Sequence, residues 1–122
     1  MAITNITVGQ ISGAKLFIDT VNANAAVAIS ATAATLYELE LDNTANAAIS
    51  YVKFWDLGTG SVTVGTTAPN KIEMVPASTK VTLVYPGGVA FATAISVSTV
   101  TTAGTAGTTS PTSSVVVKAV YA

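Results

Sequence analysis

The chain has no histidine, no cysteine and no arginine, and charged residues make up only 9% of its 122 positions. Each absence removes a class of chemistry. Without His and Cys, Ser-His-Asp and Cys-His catalysis lose their usual residues, as do most zinc, copper and iron sites. Without Cys there is also no disulfide framework, so stability has to come from packing. All five cations are lysines (Lys15, Lys53, Lys71, Lys80, Lys118) and the formal net charge is −1. With no Arg to grip phosphate bidentately, no nucleic-acid partner is expected. No uninterrupted apolar run of about 18 residues occurs, and the opening MAITNITVGQ lacks the basic and apolar regions of a signal peptide. The expectation is a soluble protein made inside a cell, with no membrane partner.

What is present is a narrow alphabet. Ala (21), Thr (20) and Val (16) together supply nearly half of the chain, and short or β-branched side chains favour strands. The clearest alternation is Thr35–Asp42, which predicts Tyr37, Leu39 and Leu41 on one face against Glu38, Glu40 and Asp42 on the other. Ile49–Asp56 places Val52 and Phe54 opposite Tyr51, Lys53 and Trp55. Lys71–Val75 and Thr79–Tyr85, separated by Pro76-Ala77-Ser78, read as a hairpin that Pro86-Gly87-Gly88 ends. Val89–Thr101 follows as one strand or two short ones, with Val89, Phe91, Ile95 and Val97 on a shared face. Val115–Tyr121 is strongly β-forming and reads as a closing strand buried between neighbours. Ile3–Val8, which contains the glycosylation-type sequon Asn5-Ile6-Thr7, and Lys15–Val21 are further strands, and Ser61–Val64 is a short one within the Gly-rich loop Leu57–Asn70. The Ala-rich stretch Ala23–Ala34 is the one serious helix candidate, but Val27, Ile29 and Ala31 alternate with Ala28, Ser30 and Thr32, which favours a strand. Thr102–Ser114 reads as a long exposed loop. The sum is an all-β fold: a two-sheet antiparallel β-sandwich or jelly-roll-like barrel of about eight strands with little or no helix. Residues 1–122 read as a single domain, with 1–36 as a docking arm or edge-strand region.

Few groupings suggest chemistry. Glu38 and Glu40 project from one strand face about 7 Å apart, a spacing glycosidases can use, but acids at alternate positions are ordinarily a solvated face. Glu38, Glu40, Asp42 and the carbonyls of Asn43-Thr44-Ala45-Asn46 offer oxygens to a hard cation, though in no EF-hand pattern; the plainer reading is an Asx-type turn at Asp42-Asn43. Gly58-Thr59-Gly60 and Gly87-Gly88 lack the following helix of a phosphate loop and read as turns. No catalytic residue, cofactor or metal site is therefore assigned. Tyr51, Lys53 and Trp55 share one strand face, where the aromatics would either stack on sugar rings, as in a carbohydrate-binding sandwich, or pack against a sheet or subunit. They are the candidate interface, together with Thr105 and Thr108 of the Thr/Gly loop.

Taken in order, Leu41–Trp55 (LDNTANAAISYVKFW), Thr63–Pro69 (TVGTTAP), Val84–Ala94 (VYPGGVAFATA) and Thr101–Pro111 (TTAGTAGTTSP) resemble small virion proteins of tailed bacteriophages, of the capsid decoration or cement type. In that group an aromatic-Pro-Gly-Gly turn leads into a Phe-Ala-Thr strand, a Thr/Gly-rich loop and a closing Val-rich strand. The likeness covers roughly residues 39–121, and residues 1–36 have no counterpart in it. The resemblance implies a non-enzymatic particle component on the capsid surface, assembled in the host cytoplasm. Its partners would be the major capsid protein and copies of itself as dimers or trimers. A tail, neck or fibre-base component is the alternative within the virion.

Overall fold

The fold is known from a computed structural model that describes residues 13–122. Eight strands form it: β1 (Lys15–Val21), β2 (Val27–Ser30), β3 (Ala34–Asp42), β4 (Ser50–Trp55), β5 (Lys71–Val75), β6 (Lys80–Phe91), β7 (Ile95–Val100) and β8 (Val115–Tyr121). Among the described residues there is no α-helix, only a single 3-10 turn at Thr59–Ser61. The strands make two antiparallel four-stranded sheets, ordered β1-β8-β3-β6 and β2-β7-β4-β5, that are not closed into a barrel. The fold is thus the all-β, two-sheet arrangement expected from composition and alternation, and the Ala-rich segment contributes a strand, β2, rather than a helix.

Alternation in each strand decides what lies between the sheets. Leu39 and Leu41 of β3 and Val115, Val117 and Ala119 of β8 point inward from the first sheet, and Val52, Phe54, Ile95 and Val97 point inward from the second. All nine are fully buried. Each large aliphatic or aromatic side chain so placed stabilises the fold by about 1.5–3 kcal/mol through loss of apolar contact with water.

Four local expectations are corrected. Tyr37 does not join Leu39 and Leu41 in the core, because the register of β3 shifts between Leu36 and Glu38 and the inward position falls to Leu36. Lys71–Val75 and Lys80–Phe91 are not a hairpin: β5 pairs with β4 and β6 with β3, so Pro76–Thr79 is a corner between sheets, turned at Ser78 with φ 51°. Pro86-Gly87-Gly88 does not end its strand. Leu36 pairs with Val89 and Glu38 with Val84, so the residues between form a bulge and β6 continues beyond them. Gly87 and Gly88 hold φ of 78° and 79°, and β6 is a sheet edge, where a proline without an N–H leaves no ladder bond broken. At 61–64 the chain follows the 3-10 turn with a further turn instead of a strand. Ile3–Val8 lies outside the described residues.

The side of the sandwich where β5 and β6 are both edges is held by a polar cluster. Tyr85 donates from its hydroxyl to Glu73 Oε1 (2.9 Å), Lys71 pairs with the same carboxylate, and Lys71 Nζ sits 4.7 Å from the Tyr85 ring centroid. Burial, and then the neighbouring carboxylate, push the Tyr85 phenol well above its ordinary pKa.

Candidate functional site

β4 is buried on both faces. Its inward side chains enter the core, and its outward side chains Lys53 and Trp55 are fully buried too, beneath two long loops of the same chain. Trp55 Nε1 donates to the Thr67 carbonyl (2.9 Å) in the loop between β4 and β5. Lys53 Nζ donates to the carbonyls of Thr105 and Gly107, both at 3.1 Å, in the loop between β7 and β8. On β7, Ser96 donates to Leu57 O (2.6 Å) and Ser98 to Asn22 O (3.0 Å). The two loops also meet each other, since a Cβ on Gly65 would collide with the Thr108 methyl, and the β7–β8 loop is folded tightly on itself, since one on Gly107 would stand 2.5 Å from Thr102 O. The second sheet therefore carries a third layer of backbone, fastened by side chains that reach up to its carbonyls.

Lys53 is unusual within that layer. Among the described residues no carboxylate pairs with it, and burial alone pulls its pKa below the ordinary lysine value. Two carbonyl oxygens take the place of a counter-ion.

The five interface candidates are thus brought together, but largely inside the molecule. Lys53 and Trp55 have no solvent-accessible surface, so neither reaches a partner, and no Tyr51–Trp55 platform exists for a sugar ring. The face expected to meet another subunit is met by the chain's own loops. Thr105 is half-buried with its carbonyl engaged by Lys53, and Thr108 is exposed beside Gly65. Tyr51 alone of the β4 trio remains partly open. It pairs with Met74, and beside it Ile49 (42% exposed), Ile72 (36%) and Met74 (53%) form an apolar strip at the uncovered margin of the second sheet.

A buried polar knot was not foreseen. Asn43 is fully buried; its Nδ2 lies within hydrogen-bond distance of the carbonyls of Ala48, Val75 and Pro76, and its Oδ1 accepts from Asn46 Nδ2 (2.8 Å) and Ser50 Oγ (2.8 Å). Asn46 in turn exchanges two bonds with Ser113, donating at 2.8 Å and accepting at 2.7 Å. These amides tie the β3–β4 turn to the sheet corner and to the end of the covering loop. The only signal in the sequence is the pair of asparagines three apart after Asp42, which reads equally as an ordinary turn. Asp42 does make the expected Asx-type turn, accepting from Thr44 N (3.0 Å) and Thr44 Oγ1 (2.5 Å), and these bonds hold its carboxyl below the usual range.

Among the described residues, no segment lies over the outer face of the first sheet. Strand register lays it out in rows: Leu16–Val120–Glu38–Val84, then Ile18–Lys118–Glu40–Thr82, then Thr20–Val116–Asp42–Lys80. Leu16 (62%), Ile18 (57%) and Val84 (65%) are exposed. Glu40 sits between Lys118 (3.4 Å) and Lys80 (3.9 Å), so Glu38 and Glu40 stand on an open sheet beside lysines rather than across a cleft. A shallow hollow of about 280 Å³ lies at the Val84–Pro86 end of this face, and a larger one of about 470 Å³ lies between segments 23–26 and 59–64, lined by small and uncharged residues.

Compared with known proteins, the chain matches no family model, no curated protein and no solved structure.

Proposed function

We propose that this chain is a structural component of a tailed-bacteriophage virion, a capsid decoration or cement protein that binds the major capsid protein on the outer surface and stabilises the shell by bridging subunits. The observation that carries the reading is the presence of two separate apolar surfaces on one sandwich. Leu16, Ile18 and Val84 lie on the outer face of the first sheet, and Ile49, Tyr51, Ile72 and Met74 lie at the margin of the second. A bridging protein needs two surfaces held at a fixed separation, and a sandwich whose loops are pinned from beneath provides that rigidity. Low charge supports it as well, since a lightly charged surface is cheap to desolvate. The resemblance of the motifs running from Leu41 to Tyr121 to small tailed-bacteriophage virion proteins supports the virion part of the reading.

A cement protein performs no chemical step. Many weak contacts, repeated over a shell, raise the cost of separating neighbouring subunits by mass action and multivalency. The test is electron microscopy and heat challenge of particles assembled with and without the protein. The expected result is loss of a regular surface density and rupture at lower temperature when it is missing. Particles that keep an intact, equally robust shell and lose a tail, neck or fibre feature instead would transfer the assignment to that part of the virion.

A further inference from the structure

We propose that the bare outer face of the first sheet is the contact with a second copy of this chain, related by a two-fold axis that runs along the strands between β8 and β3. The rows of the sheet fix where its outward side chains stand. The columns across the sheet are β1, β8, β3 and β6. A two-fold axis lying along the strands between the middle columns sets β8 of one protomer over β3 of its partner, and β1 over β6, with every row kept in step. Lys118 then stands opposite Glu40 of the other copy, twice. Thr20 stands opposite Lys80, and Leu16 opposite Val84. Leu16 and Val84 are the most exposed large apolar residues among the described positions, at 62% and 65%, and they occupy opposite ends of one row. Among the described residues no contact accounts for that placement; the two-fold relation turns it into two apolar contacts that close the flanks of the interface.

Charge selects this axis over its alternative. An axis running across the strands would set the column Glu38, Glu40 and Asp42 upon itself, opposing carboxylates with carboxylates. The axis along the strands sets acids over the β8 column, which carries Lys118. Face-to-face sheets pack about 10 Å apart, close enough for long Lys and Glu side chains to meet across the gap.

Size predicts the strength. Four strands about 4.8 Å apart and about seven residues long at about 3.4 Å each give a plan area of about 450 Å² per copy. Doubled, that is at the low end of specific interfaces. Glu38 falls opposite Val120 and Asp42 opposite Val116, so two carboxylates are left without a cation across the interface. The dimer is therefore weak when free and strengthened wherever copies are held close together, as on a shell. The inference deepens the virion reading by naming its self-contact, and it leaves the strip of Ile49, Tyr51, Ile72 and Met74 for the capsid. Its test uses the purified chain alone, so either reading can fail without the other.

The experiment is sedimentation equilibrium from about 10 µM to about 1 mM chain, the range in which a contact of this size associates. The wild-type chain should dimerise. Lys118→Glu and Glu40→Lys should each lower association at least about tenfold, because each places like charges opposite one another across the axis. An equimolar mixture of the two should recover it: the carboxylate introduced at position 118 of one chain then faces the ammonium introduced at position 40 of the other, although neither chain regains its own Lys118–Glu40 pair. Leu16→Glu mixed with Val84→Lys provides a second complementary pair, at positions on opposite edges of the sheet that do not touch within one chain. Circular dichroism should confirm that every variant is folded. A wild-type chain that stays monomeric at the highest concentration, single variants that associate as well as wild type, or mixtures no tighter than their components would overturn the proposal.

Discussion

The outer faces of the two sheets begin from similar material and end in opposite states. Each alternates apolar and polar residues, and each carries lysine: Lys53 on one, Lys80 and Lys118 on the other. On the second sheet the lysine is buried under loop backbone and is satisfied by two carbonyls. On the first, the lysines lie in the open within 3.4 and 3.9 Å of Glu40. The difference is made by chain length between strands. The connections after β4 and after β7 are long and poor in bulky side chains, so their backbone can lie flat on a sheet, whereas the first sheet has no comparable segment above it among the described residues. A covered face contributes to stability, and a bare face is available for contact. Substitutions should separate the two cleanly.

The largest effect is expected at Trp55. Trp55→Ala removes a fully buried side chain and leaves the Thr67 carbonyl without its donor, and should cost about 3–5 kcal/mol in urea unfolding. Lys53→Met should cost about 1–3 kcal/mol, because the carbonyls of Thr105 and Gly107 lose their partner. It should also alter the pH dependence. A lysine whose folded pKa lies below its ordinary 10.5 weakens the fold while it is charged, so wild-type stability should rise as pH climbs through the folded value and level off above 10.5. That rise should be missing from the methionine variant, and its persistence would show that a group other than Lys53 causes it. Gly65→Ala forces a side chain into φ 91° and into the Thr108 methyl, and should cost about 1–2 kcal/mol.

Asp56 tests how the covering loop is anchored at its base. Its carboxylate accepts from the backbone N–H groups of Thr93 (2.7 Å), Ala92 (2.9 Å) and Ala94 (3.2 Å), which hold its pKa below the ordinary 3.8. Wild-type stability should therefore be lost as pH falls from 3.8 through the folded value, more steeply than in Asp56→Asn, as followed by acid titration of the folded signal. On the bare face the effects should be smallest: Leu16→Ser and Ile18→Ser should change folding stability by less than about 0.5 kcal/mol. A larger loss would mean that this face already packs against something within the chain.

The sequence made some of this legible and concealed the rest for identifiable reasons. Val115–Tyr121 was readable only as a β-forming run, whereas Leu39 and Leu41 were readable because alternation with Glu38, Glu40 and Asp42 fixes which side chains share a face. The common face of Lys53 and Trp55 was readable in the same way, but periodicity says nothing about what covers a face. Here the cover is backbone from a Thr/Gly-rich loop, whose carbonyls are invisible to composition and whose lack of apolar residues suggested exposure. The turn at Pro76–Thr79 resembled a hairpin because corner and hairpin turns use the same residues, and the continuation of β6 through Pro86 was hidden because an edge strand tolerates what a central strand does not. The dependence of the covering loop on Asn43 and Asn46 had no periodic signature at all.

The position of β8 bears on how the molecule is made. Val115–Tyr121 lies between β1 and β3, pairing with both, and its partners in β1 were synthesised about a hundred residues earlier. While translation proceeds, β3 and β6 can already pair, but β1 has no neighbour among the described strands, and the first sheet cannot be completed until β8 has left the ribosome. Folding is then governed by closure of a very long loop, which makes it slow relative to a helical protein of the same length. A nascent chain arrested before Val115 should bind chaperones and be cut readily by protease, and a chain released beyond Tyr121 should become resistant in one step.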